Sequence, residues 1–253
     1  MDYNKRIPIV EVYTAIQGEG SRAGRPTIII RTTGCTHRCW FGEKGGWCDS
    51  WYTSIHPEKG KYCFQDIVNL YDENPQISEM MLTGGSPTMH PDIVNECAKF
   101  CSERGVIMTM ETEGSEFVDM NHNLHLLSLS PKFTNSIPRL GISTPQGKIV
   151  DEKFIDQHHK FRLNGHAIQK WLDFALDYHY KPVYDGTDRT LEEIEEFRVE
   201  FNIPKNKTYL MPAGDNRQSL LFTYPATMDV CMKMGYNFTG RPHIIAYDTQ
   251  REV

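Results

Sequence analysis

Thr27-Ile28-Ile29-Ile30-Arg31-Thr32 is a continuous β-branched run with hardly a polar interruption. Runs of this kind form strands buried on both faces, the situation of a parallel sheet covered by helices. Before it, Ile7 to Tyr13 reads as a short strand; after it, the chain alternates. A helical pattern over Phe64 to Tyr71 precedes the strand Glu79-Met80-Met81-Leu82-Thr83. A helix from Pro91 to Arg104 opens on Pro-Asp and stops at Gly105, and the strand Val106 to Met110 follows. Further strands are expected at Leu124 to Leu129, Lys160 to Leu163, Thr208 to Met211 and His243 to Tyr247. Helices are expected at Ala167 to Tyr178, Leu191 to Phe201 and Ala226 to Met234. Such alternation builds an α/β domain on a parallel sheet, open or curled into a partial barrel. All of 1–253 reads as one domain, with a charge-rich surface insertion around 181–206.

The polar and glycine-rich segments fall just after strands: Gly34 to Ser50, Thr83-Gly84-Gly85-Ser86-Pro87, Glu111-Thr112-Glu113-Gly114, Ser130-Pro131-Lys132 and Met211-Pro212-Ala213-Gly214. Loops at the carboxyl ends of parallel strands converge on one face, where ligands bind in such folds. Five signatures in five such loops therefore point to one shared site.

The first of these loops holds Cys35, Cys39 and Cys48 within fourteen residues. Three thiolates can hold three irons of an iron–sulfur cluster and leave the fourth iron open to an exchangeable ligand. A structural zinc site needs a closed set of four, which His37, His56 or Asp49 would have to complete. The other cysteines have plainer roles. Cys97 and Cys101 lie four apart on an expected helix and fit as small hydrophobes, while Cys63 and Cys231 are isolated.

Arg31 closes a buried strand just before Cys35 and is placed either to clamp a carboxylate or to snorkel to solvent. Ile16-Gln17-Gly18-Glu19-Gly20 is a polar turn whose amide and carboxylate suit the hydrogen-bonding edge of a heterocycle. Asp49-Ser50 offers hard oxygens for magnesium, or else a helix cap. A formal charge of -6 argues against a broad nucleic-acid-gripping face. No stretch has the apolar length of a membrane span, and the first residues lead into no signal-type hydrophobic core. Seven cysteines, an odd number, suit reduced thiols in a cytoplasm better than a disulfide framework.

Taken together, these loops resemble the radical S-adenosylmethionine superfamily and, within it, the 7-carboxy-7-deazaguanine synthases. The resemblance rests on Ile16 to Gly20, Arg31 to Cys35, Cys39, Trp47-Cys48-Asp49-Ser50, Thr83-Gly84-Gly85, Glu111 to Gly114 and Ser130-Pro131-Lys132, with Arg241 to Ile245 and the closing Arg251-Glu252-Val253. It implies a modified partial (β/α) barrel, a homodimer, and a lyase that converts 6-carboxy-5,6,7,8-tetrahydropterin to 7-carboxy-7-deazaguanine with loss of ammonia. The radical is implied to come from S-adenosylmethionine on a 4Fe–4S cluster, fed by an electron donor such as flavodoxin, so no side chain is expected to be the radical source. Cys35, Cys39 and Cys48 are implied cluster ligands and Ser50 a Mg2+ ligand. Ile16, Gln17, Gly18, Arg31 and Thr83 are implied to meet the pterin. Trp47, Cys48, Asp49, Gly85, Glu111, Ser130, Pro131, Lys132, Met211 and Pro212 are implied around S-adenosylmethionine.

Two departures stand out. Phe41 to Gly46 lengthens the gap between the second and third cysteines, a detour that loop-closure entropy tolerates because its cost grows slowly with length. Ser86 stands where many enzymes of the superfamily carry glutamate, so the contact to the methionyl amine falls to main-chain carbonyls or to Glu111. A glycyl-radical activase of the same superfamily would need neither Arg31 nor the Gln17 loop as a small-acid pocket. A zinc-bound interaction module is the reading from outside the superfamily.

Overall fold

The computed structural model describes residues 1–41 and 46–253. Its spine is a six-stranded sheet in the order β1-β2-β5-β6-β7-β8, from β1 (Ile9–Ile16) and β2 (Pro26–Thr32) through β5 (Glu79–Gly84), β6 (Ile107–Thr112) and β7 (Leu126–Leu129) to β8 (Tyr178–Tyr180). β1 is antiparallel to β2 and every later pairing is parallel. A parallel bridge from Tyr180 to Thr208 leads on to a second sheet of β9 (Val183–Tyr184), β10 (Tyr209–Pro212) and β11 (Asn237–Phe238). Between β2 and β5 come a two-stranded ribbon, β3 (Trp40–Phe41) with β4 (Gly46–Trp47), then the short helix α1 (Trp51–Ser54) and α2 (Phe64–Glu73). The longer crossovers carry α3 (Pro91–Arg104), α4 (Glu152–Phe161), α5 (Gly165–Phe174), α6 (Asp188–Glu200) and α7 (Arg217–Met234); α8 (Pro242–Tyr247) follows β11.

The period-two alternation of strand side chains divides the sheet into two chemically different faces. Ile28, Ile30, Met80, Leu82, Met108, Met110, Leu127 and Leu129 stand in register across four strands, all fully buried. They share a core with Ile67 of α2 and with Ile93, Val94, Cys97 and Cys101 of α3. The opposite face carries Arg31, Thr83, Glu111, Ser128 and His179, again in register from strand to strand. A helix-covered apolar face and a polar inner face are what a curled sheet around a cavity requires. Helix α3 is set locally, with Pro91 in its first turn and Gly105 closing it at φ 67°.

Three local expectations give way. Lys160 and Phe161 end a helix, because Asp151 caps α4 by accepting from the Phe154 amide. Tyr178 belongs to β8, the helix before it having stopped at Phe174. His243 to Tyr247 is helical: Pro242 starts the turn, and the Ile245 amide closes onto the Arg241 carbonyl at 3.1 Å. The charge-rich 181–206 stretch holds β9 and α6, and its Ile194, Phe197 and Ile203 are buried in the main core. The extended loop between Cys39 and Cys48 lies in part, at residues 42–45, outside the described residues.

Two buried histidines give the fold a pH dependence. Burial pushes the His179 imidazole down to about 3 and that of His158 down to about 2 from an ordinary 6.5. The unfolded chain therefore takes up protons that the fold refuses, so stability is complete above pH 6.5 and falls with acidification. The expected slope is about 2–3 kcal/mol per pH unit as the pH drops toward the folded values. Denaturant unfolding from neutral pH to about pH 4 checks this, and a flat profile would contradict it.

Candidate active site

The carboxyl ends of β2 and β5 approach at contact distance, and glycines permit it. A Cβ on Gly85 would lie 2.0 Å from the Gly34 carbonyl oxygen and 3.0 Å from the Cys35 Cβ. With none there, the Ser86 amide donates to the Gly34 carbonyl at 2.8 Å and locks the two loops together. On the far side of the cysteine loop, the Cys48 amide donates to the Cys39 carbonyl at 3.0 Å, and Trp40 meets Trp47 edge to face. This ribbon returns the third cysteine to the second despite the eight residues between them.

All three thiols line a cavity of about 1440 Å³. Burial and neighbouring negative charge push Cys35 and Cys48 up to about 12, and Cys39 well above its ordinary value. Three thiols so placed become thiolates only against strong positive charge, such as iron. The Cys35 sulfur already accepts from the His37 amide at 3.3 Å, the kind of contact that tunes a ligating thiolate. The residues thus fit a cluster bound through three corners. Among the described residues, no three His, Cys, Asp or Glu side chains are grouped to hold a single metal ion.

The other expected residues line the same cavity: Ile16, Gln17, Gly18, Arg31, Thr83, Trp47, Asp49, Ser50, Gly85, Glu111, Ser130, Lys132, Met211 and Pro212. Pro131 is not part of the lining. Gln17 is held by the Glu19 amide donating to its Oε1 at 3.2 Å. Arg31 donates through Nε to Glu11 at 2.6 Å and through Nη1 to the Ser50 hydroxyl at 3.1 Å. Glu11 is itself fully buried and accepts from Tyr52 and from Arg251 of the tail.

A chain of alternating charges crosses the floor: Asp49, Arg241, Glu19, Lys181, Glu111. Arg241 donates to Glu19 at 2.7 Å and also pairs with Asp49, while Lys181 joins Glu19 to Glu111. Burial opposes the charge on Lys181, and the two carboxylates outweigh it, so the ammonium stays protonated above its usual range. Burial likewise opposes Glu19, and Lys181 and Arg241 keep it ionised. Thr83 completes Glu111 by donating to its second oxygen at 3.0 Å.

Sequence reasoning missed Glu11, Lys181, Arg241 and His243. The His243 ring lies over the turn after Gln17, where a Cβ on Gly18 would be 1.9 Å from its Nδ1. Arg241-Pro242-His243 and Arg251 were visible only as part of the resemblance. Lys181 had no local signal, since a lysine in a charged stretch reads as surface.

A curled parallel sheet with three cysteines lining the cavity after β2 and a glycine pair after β5 defines a radical S-adenosylmethionine enzyme. No family model matches the chain. Curated relatives do: it is 31% identical to the 7-carboxy-7-deazaguanine synthase of Rhodopirellula baltica over 96% of this chain and 87% of that protein. It is 29% identical to the enzyme of the same name from Halobacterium salinarum, over 97% and 92% of the two chains. The crystal structure of QueE from Escherichia coli superposes with a TM-score of 0.62, covering 93% of each chain at 18% identity. The chain belongs to the 7-carboxy-7-deazaguanine synthase family.

Proposed function

We propose that this cavity converts 6-carboxy-5,6,7,8-tetrahydropterin into 7-carboxy-7-deazaguanine with loss of ammonia, as a carbon–nitrogen lyase. The observation that carries the reading is that the three-thiol wall and the Arg31–Gln17 wall face the same cavity. Cys35, Cys39 and Cys48 would hold a 4Fe–4S cluster, which together with S-adenosylmethionine would supply one-electron, hydrogen-abstracting chemistry. The chain's own residues then do positional work. Arg31, oriented by Glu11, receives the substrate carboxylate; Gln17, with the backbone at Ile16 and Gly18, reads the pterin edge; Thr83 stands beside it. Trp47, Asp49, Gly85, Ser130, Lys132, Met211 and Pro212 surround S-adenosylmethionine. Walls that limit the access of water protect a reactive intermediate from side reactions.

Ser50 is the proposed Mg2+ ligand: its hydroxyl lies 3.2 Å from the Asp49 carboxylate, a pair of hard oxygens suited to that ion. Reducing equivalents come from a small redox protein such as flavodoxin. The seven cysteines are free thiols, which suits the cytoplasm. Among the described residues, no helix is long and apolar enough to cross a membrane. We further take residues 1–253 as a single catalytic domain working as a homodimer. Leu221, Met228 and Met232 fall on one side of α7, each about half exposed or more, and supply an apolar face for a second copy. Sedimentation is expected to give a dimer for the native chain and a monomer for Met232→Glu.

Anaerobic incubation of reconstituted protein with the carboxylated pterin, with and without magnesium, tests the reaction. No deazaguanine product would end the reading. Arg31→Ala is expected to lower kcat/KM for that substrate by about 10²–10³-fold, the cost of losing a charge-assisted bidentate contact. Slow, uncoupled cleavage of S-adenosylmethionine should persist; full-rate product formation would refute the carboxylate assignment.

A further inference from the structure

Glu113 is an acidic side chain in the cavity wall with which, among the described residues, no lysine or arginine forms an ion pair. It is buried, lies on the loop after β6, and lines the cavity beside Cys35 and Gly85. Three hydroxyls converge on one of its oxygens: Ser115 at 2.6 Å, Ser86 at 2.7 Å and Thr36 at 3.1 Å all reach Oε1. Among the described residues, neither a side-chain donor nor a cation is bonded to Oε2. Glu111, two residues earlier, is the contrast, since Lys181 holds one of its oxygens and Thr83 the other.

The basic groups nearby are turned elsewhere. Lys132 donates to the Ser130 carbonyl at 2.6 Å and to its hydroxyl at 3.0 Å. Arg38 donates to the carbonyls of Cys35 and His37, both at 2.7 Å. Among the described residues only His37 comes within ion-pair range, and its ring nitrogen stands off at 3.9 Å. A buried carboxylate with one oxygen unpaired is electrostatically costly unless a further donor or cation joins it. Three hydroxyl donors hold the carboxylate in place, with one oxygen left for a further donor.

We propose that Glu113 receives the amino group of the methionyl part of S-adenosylmethionine. Thr36 and Ser86 tie this carboxylate to both loops that border the thiols, the cysteine loop and the glycine-pair loop. Its position is therefore set by the same elements that set the cluster site. Ser86 serves as one of its holders, and Glu111, committed to Lys181, is left to the floor of the cavity. The inference deepens the reading of this cavity as an S-adenosylmethionine site and depends on it.

The test is binding, measured by equilibrium dialysis on cluster-loaded protein without oxygen, after iron and sulfide are found equal in both proteins. Two ligands are compared: S-adenosylmethionine, and 5′-methylthioadenosine, which lacks the amino-acid portion. Glu113→Gln keeps the shape and removes the charge. It should weaken S-adenosylmethionine by about 10–100-fold, the worth of a charged hydrogen bond, and leave methylthioadenosine within about twofold. Equal weakening of both ligands would make Glu113 a mere prop for the loops, and unchanged S-adenosylmethionine binding would remove it from the contact; either overturns the proposal. If Glu113→Gln does not load its cluster, Glu113→Asp replaces it and is read by the same difference between the two ligands. Failure of the native loaded protein to bind S-adenosylmethionine at all would instead overturn the functional reading beneath.

Discussion

Cys39→Ala protein is expected to lose both product formation and S-adenosylmethionine cleavage, each by at least about a thousandfold, as when one member of a unit that works only whole is removed. The cysteine is buried in the cavity wall, and its main-chain carbonyl, which holds the Cys48 amide, survives the substitution. The loop can therefore keep its path while the cluster loses one of three anchors. Iron and sulfide per chain after anaerobic reconstitution, with the absorbance of thiolate-bound iron, provide the measurement. Cys97→Ala is the control. Its thiol lies in the apolar core beneath the sheet, so the cluster should load fully, with a stability loss of about 1–2 kcal/mol for the small cavity left. A Cys39→Ala protein with a full complement of iron would dismiss the ligand assignment.

The second large effect concerns folding. Lys181→Met removes the buried cation between Glu19 and Glu111 and leaves two mostly covered carboxylates facing each other, Glu111 without a cation and Glu19 with Arg241 alone. Breaking a buried ion pair from one side costs about 3–5 kcal/mol, because the charge that loses its partner does not regain its full hydration. For a chain of this size that corresponds to a midpoint about 6–20 °C lower. Thermal unfolding of the unloaded protein measures it independently of turnover. Lys181→Arg, which keeps the charge, should recover part of the loss. A midpoint within about 2 °C of the native protein would mean that the triad is not a stabilising element of the fold.

Much of the architecture was legible because its signals are local. The Thr27 to Thr32 run, the Pro-Asp start and Gly105 stop of α3, and the glycines after β5 each act within a few residues. The misreadings came where a neighbouring signal overruled composition. Asp151 capped α4 across Lys160, and Pro242 wound His243 to Tyr247 into a turn of helix although Ile244-Ile245 looks like a strand. Such caps are readable in principle; the β-branched pair after Pro242 simply weighed more.

The amino-acid order by itself determined the alternation of strands and helices, the three thiols on one loop, and the convergence of five polar loops on one face. These follow from periodicity and spacing, which the chain carries wherever it folds. Only the tertiary structure decided which charges meet. Arg241 reaches Asp49 across most of the chain length, Lys181 takes Glu19 and Glu111 together, and three hydroxyls pin Glu113 by one oxygen. Pairing of this kind depends on distance and burial, and neither is written in the neighbourhood of a residue.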